Sequence, residues 1–467
     1  MSSCEVENKL LDLANWAIRS TQFIGYFPLS LRSLNRTKFL EFGPFYSLSI
    51  IYTVLLLSLI FAWEVNFFLN FTTYQKFIAL FGATEKTVHF FFVLTASFMG
   101  LCFRISGLFM GPRTIQFWKD NCLTLDKIQT ALGFFKESIF ESSPDFGKIK
   151  KSLKLSILMN VVFIALHILI VHGYRLHRSL TDDTQWWSSD SDFHLGSAFW
   201  FTMVLFHVLN SIWLSFFIKI YTATFRSIAR KIRTLNNNGD DNDSGKGIDY
   251  MEQRPAGIIY GSEIFQILHP SKVNKSSATG ENEKEARNRH NLLELHVGNC
   301  ISAFVMLEKL VNRFNTFFGS QLIAEMHVCI SNIVAHSFFL LLWIGRNIWR
   351  QVAMITVPFL VFAAHLYRFS SVGGDLTLAA GEVARALFDS IPMGQLSTDL
   401  RFKVCTLSSK IIVSPPVISG NDFFVVNRHL VTSVVSAIAT LLVVLVQFRE
   451  SDSTRVFSPT RNSSGHG

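Results

Sequence analysis

Apolar residues along this chain gather into long runs rather than short periodic stripes. About 30 Å of hydrocarbon takes roughly 20 residues of α-helix to cross. Seven runs reach that scale: 45–69, 88–110, 153–173, 195–221, 318–345, 352–370 and 429–448. Each predicts a transmembrane helix, because a backbone in lipid must satisfy its N–H and C=O groups within the segment. The sixth run is the shortest and carries Pro358, His365 and Arg368.

The connections differ in kind. Residues 236–284 are rich in Asn, Asp, Gly and Ser and read as disordered, with too little apolar surface to build a core. From about Glu285 the pattern turns helical, with Phe304, Leu307, Val311, Phe314 and Phe318 at three- and four-residue steps. This stripe runs into the fifth span without a proline and predicts one long helix that projects from the bilayer. In the sixth connection Leu376, Ala379, Val383, Ala386 and Leu387 share a helical face. Asp399 to Val413 is helix-compatible, and Pro415-Pro416 breaks the chain. Such helices either lie on the membrane surface or form a bundle that packs on itself or on other subunits. Continuity of the fifth helix with its span favours the bundle.

Composition supports a membrane protein. Among 467 residues 49% are hydrophobic, only 16% are charged and 46 are Phe, more apolar surface than a soluble protein of this size buries. Mean hydropathy is +0.32. The net charge of +9 does not indicate nucleic acid, because the cations lie in loops and no zinc-ligand or RNA-binding motif accompanies them. Lys and Arg number 30 in the N-terminal segment and the second, fourth and sixth connections, against 9 in the others and the C-terminal tail. By the positive-inside rule the N-terminus is cytoplasmic and the C-terminus extracellular. The expected organisation is a cytoplasmic segment 1–44, spans one to four within 45–221, a cytoplasmic loop 222–317, spans five and six within 318–370, a cytoplasmic helical loop 371–428, the last span 429–448 and an extracellular tail 449–467. The apolar stretch from Leu10 to Ile18 is short and carries Asp12, so the first span is expected to act as the targeting signal.

Catalytic patterns are missing. The sequence holds no GxSxG, HExxH, P-loop or GxGxxG, and its six cysteines form no CxxC. No enzyme activity, cofactor or metal is expected. His167, His207, His336 and His365 lie in apolar surroundings and read as hydrogen-bonded packing residues. Glu64, Arg104 and Glu325 are ionisable groups within spans, where charge needs water or a partner. Glu64 and Arg104 lie near span ends and can reach water, whereas Glu325 calls for a partner.

The last span carries the clearest pattern. Ser433, Ser436, Thr440, Val444 and Gln447 are spaced three, four, four and three, which places them on one helical face. A stripe of hydroxyls and an amide can line a water-filled path. Equally, Ser and Thr permit close helix packing. The long Gln447 amide suits a pore better than a tight helix contact.

Around this face the sequence resembles the insect gustatory receptors. Thr440-Leu-Leu-Val-Val-Leu-Val-Gln447-Phe448 is similar to their C-terminal signature of Thr-Tyr, five apolar residues and Gln-Phe, with Leu441 in place of the usual Tyr. Pro416 to Leu430 and Ile24-Gly-Tyr-Phe-Pro28 are similar to other stretches of the family. The resemblance implies an all-α, seven-transmembrane, tetrameric ligand-gated cation channel related to insect odorant receptors. The tetramer would be homomeric or heteromeric, in the plasma membrane of chemosensory neurons. It implies that the seventh helix lines the pore, with Gln447 and Phe448 near the constriction, and that the cytoplasmic helices form an anchor domain. A tastant such as a sugar or bitter compound would bind among the outer halves of the spans, where Phe193, Trp200 and Phe201 are candidate lining residues beside Trp186 and Trp187. A G-protein-coupled receptor would need the opposite orientation. A secondary transporter would be expected to show internal repeats, which the sequence lacks.

Overall fold

The structure is a computed structural model that describes residues 3–23, 29–34, 37–42, 48–69, 83–133, 144–181, 191–237, 280–347 and 349–456. Among these, helices dominate. The order is α1 (Ser3–Phe23), an antiparallel hairpin of β1 (Leu29–Leu34) and β2 (Thr37–Phe42), α2 (Leu48–Leu69), α3 (Ala83–Ala131), α4 (Pro144–Thr181), α5 (Ser191–Asn237), α6 (Gly280–Gly345), α7 (Trp349–Ser390), α8 (Thr398–Val413) and α9 (Arg428–Val456). One apolar run falls in each of α2 to α7 and in α9. Among the described residues His290–Gly345, Ile355–Ser390 and Arg428–Glu450 are long and apolar enough to cross a membrane by composition alone.

Five of the long helices outrun their apolar segments, and they do so at the same end of the bundle. There Arg230 at the foot of α5 meets Asp145 at the start of α4 at 2.9 Å, and Lys410 of α8 meets Glu308 of α6 at 2.7 Å. Phe225 of α5 packs on Phe304 of α6 with ring centroids 5.2 Å apart. The stripe Phe304, Leu307, Val311, Phe314 and Phe318 is buried throughout. The sixth connection matches its reading too, except that Leu376 to Leu387 continue the sixth span as one helix rather than forming a separate one. α6 begins at Gly280, five residues before the expected Glu285. Most of the segment read as disordered, 238–279, lies outside the described residues.

α1 and the β-hairpin were not anticipated. Val6, Leu10, Leu11, Ala14, Ala17 and Ile18 form a stripe at helical spacing, and all are buried against the same end of the bundle. Asp12, which made the run look unfit for a membrane, lies on the exposed side. The run is an amphipathic helix docked on protein.

Where spans give way to extensions, aromatic rings fill the core. Phe117 of α3 stacks on Phe317 of α6 at 5.0 Å and meets Phe217 of α5 edge-on at 5.2 Å. Trp118 of α3 lies against Trp213 and Phe216 of α5. Each such ring buries a large apolar area in a defined geometry, so α3, α5 and α6 are registered at this level. The buried Tyr221 hydroxyl donates to Asn121 Oδ1 at 2.5 Å.

The stretch between α8 and α9 is a compact reverse turn. Ser419 and Val425 form an isolated bridge, and Asn421 and Asp422 take the left-handed conformation with φ of 45° and 62°. Asn315 of α6 holds the turn from both sides: its Nδ2 donates to the Val417 carbonyl at 2.8 Å and its Oδ1 accepts from Ser419 N–H at 3.1 Å. A Cβ at Gly373 of α7 would collide with the Val426 carbonyl, so only glycine permits this approach. Gly373→Ala is expected to cost about 1–3 kcal/mol through overpacking. Gly298→Ala, which meets nothing within 4 Å, should be neutral or stabilising through helix propensity. Thermal unfolding of the two detergent-solubilised variants checks this; equal melting temperatures would contradict the packing argument.

Candidate functional site

Two features stand out, the outer face of α9 and a charge cluster inside the bundle. α9 touches the bundle along one stripe, with Val434 and Ile438 buried. Only 11% of its apolar window is buried, against 56% in α6. Ser433, Ser436, Thr440, Val444 and Gln447 are all exposed, and Phe448 beside them is 61% exposed. The helix thus turns its mixed polar stripe away from the rest of the chain. Thr440 Oγ1 returns to the Ser436 carbonyl at 3.1 Å, as a hydroxyl in a helix commonly does.

The far end of α9 is tied by charge. Glu85, at the start of α3, is 1% exposed and takes Arg346 Nη2 from the end of α6 at 2.8 Å and Arg449 Nε from α9 at 3.4 Å. Arg449 follows Gln447 and Phe448 directly in sequence. Glu85 carries no pattern in the sequence that singles it out. An acid at the start of a long helix reads as a dipole partner, and nothing in its local sequence points to arginines more than 250 residues away.

Inside the bundle Glu325 of α6 is 1% exposed. His207 Nδ1 of α5 lies 3.3 Å from its Oε2, and Asn210 Nδ2 donates to the same oxygen at 3.0 Å. His365 Nε2 of α7 lies 3.4 Å from Oε1. The network continues outward. Gln321 Nε2 donates to Asn210 Oδ1 at 2.6 Å, and Ser211 Oγ lies 3.1 Å from His365 Nδ1. Glu325 therefore has the partner that a carboxylate in a span requires, and His207 and His365 are hydrogen-bonded packing residues as read from the sequence. His336 is likewise buried, with Nδ1 2.6 Å from the Asn332 carbonyl. Glu325, His207 and His365 were each noted individually. The missing signal was their pairing, since 118 residues separate His207 from Glu325.

Other expectations fall outside what is described. Phe193, Trp200 and Phe201 lie on the first half of α5, but their side chains are not among those described, nor are those of Glu64, Arg104 and His167; Trp186 and Trp187 lie outside the described residues altogether. Among the described residues no group of three metal-binding side chains occurs. A small cavity of about 10 Å³, bordered by Trp118, Asn121, Phe216 and Tyr221 among others, is no larger than a water site.

Removing one member of a buried polar contact leaves the other without its neighbour in a site that water does not reach. Glu325→Gln and His365→Gln should therefore each lower stability, and the double variant should lose less than the sum by about 0.5–3 kcal/mol. A double-mutant cycle on thermal unfolding in detergent measures this. Strict additivity would show that the two side chains do not interact.

The comparisons with known proteins agree with this architecture. Residues 139–452 match the family described as 7tm Chemosensory receptor. Gustatory receptor 23a of Drosophila melanogaster is 29% identical over 163 residues, which cover 32% of this chain and 41% of the relative. The chain thus matches about two-fifths of that relative's length. Among solved structures, the insect olfactory receptor OR5 from Machilis hrabei in complex with eugenol superposes with a TM-score of 0.59 at 11% identity, covering 94% of this chain and 99% of the receptor. The same receptor without eugenol in its description gives 0.54 at 12% identity, with the same coverage. These two share the fold. With the family match over two-thirds of its length, the chain belongs to the 7tm chemosensory receptor family.

Proposed function

We propose that this chain is a subunit of a gustatory receptor, a ligand-gated non-selective cation channel of four homo- or heteromeric subunits opened by a small tastant such as a sugar or bitter compound. The observation that carries this reading is the exposed polar stripe of α9. Hydrocarbon is a poor environment for the hydroxyls of Ser433, Ser436 and Thr440, which with Gln447 lie on the exposed side of α9. Four copies arranged around an axis would bring the stripes together around water and solvate them. Gln447 and Phe448 would lie near the constriction, at the end of α9 held by Glu85.

The helical extensions, with α1 and α8, serve in this reading as a cytoplasmic anchor domain that holds the subunits together. The excess of Lys and Arg at that end supports a cytoplasmic N-terminus in the plasma membrane of a chemosensory neuron. Ligand would enter from the outer side and bind near the first half of α5, where Phe193, Trp200 and Phe201 lie. Opening follows if ligand binds the open state more tightly than the closed one.

Expressed in cells lacking insect G-protein components, the receptor should give ligand-evoked cation current across a tastant panel. Gln447→Ala should change its conductance or its ion permeability ratios. An unchanged current through the Gln447 variant would remove α9 from the pore.

Orientation has its own test through Cys405, which is exposed on α8, whereas Cys122, Cys300 and Cys329 are buried. Burial pushes the Cys300 thiol up to about 12 and the Cys122 thiol well above its ordinary range, so both stay protonated and unreactive. With Cys4 and Cys102 replaced by Ser, a membrane-impermeant maleimide at pH 7.5 should label Cys405 only after the cells are permeabilised. Labelling of intact cells would reverse the topology.

A further inference from the structure

The face of α4 that turns away from the bundle changes character in one step. Phe146, Ile149, Leu153, Ser156 and Asn160, at three- and four-residue spacing, form the seam buried against protein. On the open side Lys150, Lys151 and Lys154 are exposed, and directly after them the exposed residues turn apolar. Leu155 is 58% exposed, Leu158 57% and Leu169 70%. Lys151, Lys154, Leu158 and Val162 follow one another at steps of three, four and four, so cations and apolar residues share one stripe. The apolar part of the stripe suits hydrocarbon, and the cations suit water or phosphate. On this face the border between the two falls between Lys154 and Leu155, where the apolar run 153–173 begins.

α1 meets α4 at that level. The Lys154 ammonium sits over the Trp16 ring, 5.5 Å from its centroid. One side of α1 is buried against protein, whereas Asp12, Trp16 and Arg19 are exposed at steps of four and three. Lys148 pairs with Asp145 at 3.6 Å, but among the described residues no carboxylate pairs with Lys150, Lys151 or Lys154. A surplus of cations at the end of a span satisfies the positive-inside rule, and a solvated face asks nothing more of the lysines. That reading does not account for an indole beside the last of them, on the side of α1 that protein leaves open. Trp combines a large apolar body with a polar N–H, and it collects where hydrocarbon meets headgroups.

We propose that Lys150, Lys151 and Lys154 of α4, with Trp16 of α1, form a docking surface for an anionic phospholipid in the leaflet beside the helical extensions. The lipid's acyl chains run along Leu155, Leu158 and Val162, and its phosphate meets the ammonium groups just above them. An ammonium has three donors, so Lys154 can face the indole and still donate to a phosphate oxygen. Charge decides the lipid class, because lysines gathered at the end of a span attract acidic headgroups in preference to zwitterionic ones. Arg19, one turn from Trp16 on the same open side, adds a further cation. α1 thereby lies along the bilayer surface, attached to protein by its buried face and to the headgroup layer by Trp16. The inference requires that the chain crosses a membrane and is independent of whether α9 lines a pore.

The test uses the full chain in neutral detergent with short-chain lipids. Dioctanoyl phosphatidylserine should raise the melting temperature, and dioctanoyl phosphatidylcholine should not. Each Lys→Gln change should weaken the apparent affinity for the serine lipid about fivefold, the contribution of one cation at an anionic surface. The combined variant Lys150→Gln, Lys151→Gln and Lys154→Gln should then respond to the two lipids alike. The same three positions changed to Arg keep the charge and should respond as the unaltered chain does, which controls for the fold. Location is read in nanodiscs, from the part of the tryptophan emission that Trp16→Phe removes. A nitroxide on the lipid headgroup should quench that part, and a nitroxide at the bilayer centre should not. Equal shifts from the two lipids in the unaltered chain would overturn the proposal. So would an unchanged response in the combined Gln variant, or Trp16 emission that the headgroup nitroxide does not reach. A full shift from glycerophosphoserine, the same headgroup without its chains, would put a soluble anion on these residues and would equally overturn it.

Discussion

A carboxylate that folds into the interior of a membrane-spanning bundle has no water to fall back on, and the placement of three helices follows from that. Glu325 accepts from His207 and Asn210 on α5 and meets His365 on α7. Side chains of this length reach only a few ångströms, so α5, α6 and α7 cannot slide along one another by a turn without abandoning the charge. The apolar remainder of these helices is far less discriminating. Leucine and phenylalanine pack against one another in many registers, and lipid competes with them on nearly equal terms. The polar network selects one register, and the mutual packing of α5 and α7 follows.

A second registration occurs one level lower, where Phe117, Trp118, Trp213, Phe217, Phe317 and Phe318 interlock. Here the constraint is shape rather than charge. Beyond this layer the extensions pack as a helical bundle, with ion pairs such as Arg230–Asp145 and Lys410–Glu308 on its surface. Such pairs contribute little individually, about 0–1 kcal/mol. The buried stripe from Phe304 to Phe318 carries that part of the fold. One chain thus solves two solvent problems in sequence along the same helices, and the aromatic layer is where one solution hands over to the other.

Much of this was legible in the residues. Apolar runs marked out the long helices α2 to α7 and α9, because lipid imposes a single length scale on helices that cross it. The stripe at Phe304–Phe318 and the face at Leu376–Leu387 were legible because helical periodicity is local. α1 was not, since Asp12 interrupts a run judged by a membrane criterion, whereas the run in fact meets protein on one side and water on the other. The pairing of Glu325 with His207 and His365, and of Glu85 with Arg346 and Arg449, was beyond reach for a different reason. Each partner is ordinary in its own neighbourhood, and only the three-dimensional path of the chain brings them together. At the candidate site, the α9 stripe was visible as spacing, while its exposure depended on how the other helices pack.

The reverse turn that precedes α9 has a mechanical meaning. Asn315 grips it from α6, and Gly373 lets its backbone press directly on α7. The first residues of α9 are therefore fixed to the two helices that Glu325 already locks together. At the other end the helix is held by a charged tether from Arg449 to Glu85 and by a narrow apolar seam. A rod clamped at its base has one lever arm, its own length, and the Arg449–Glu85 tether acts at the end of that arm beside Gln447 and Phe448, where it opposes tilting with the greatest advantage.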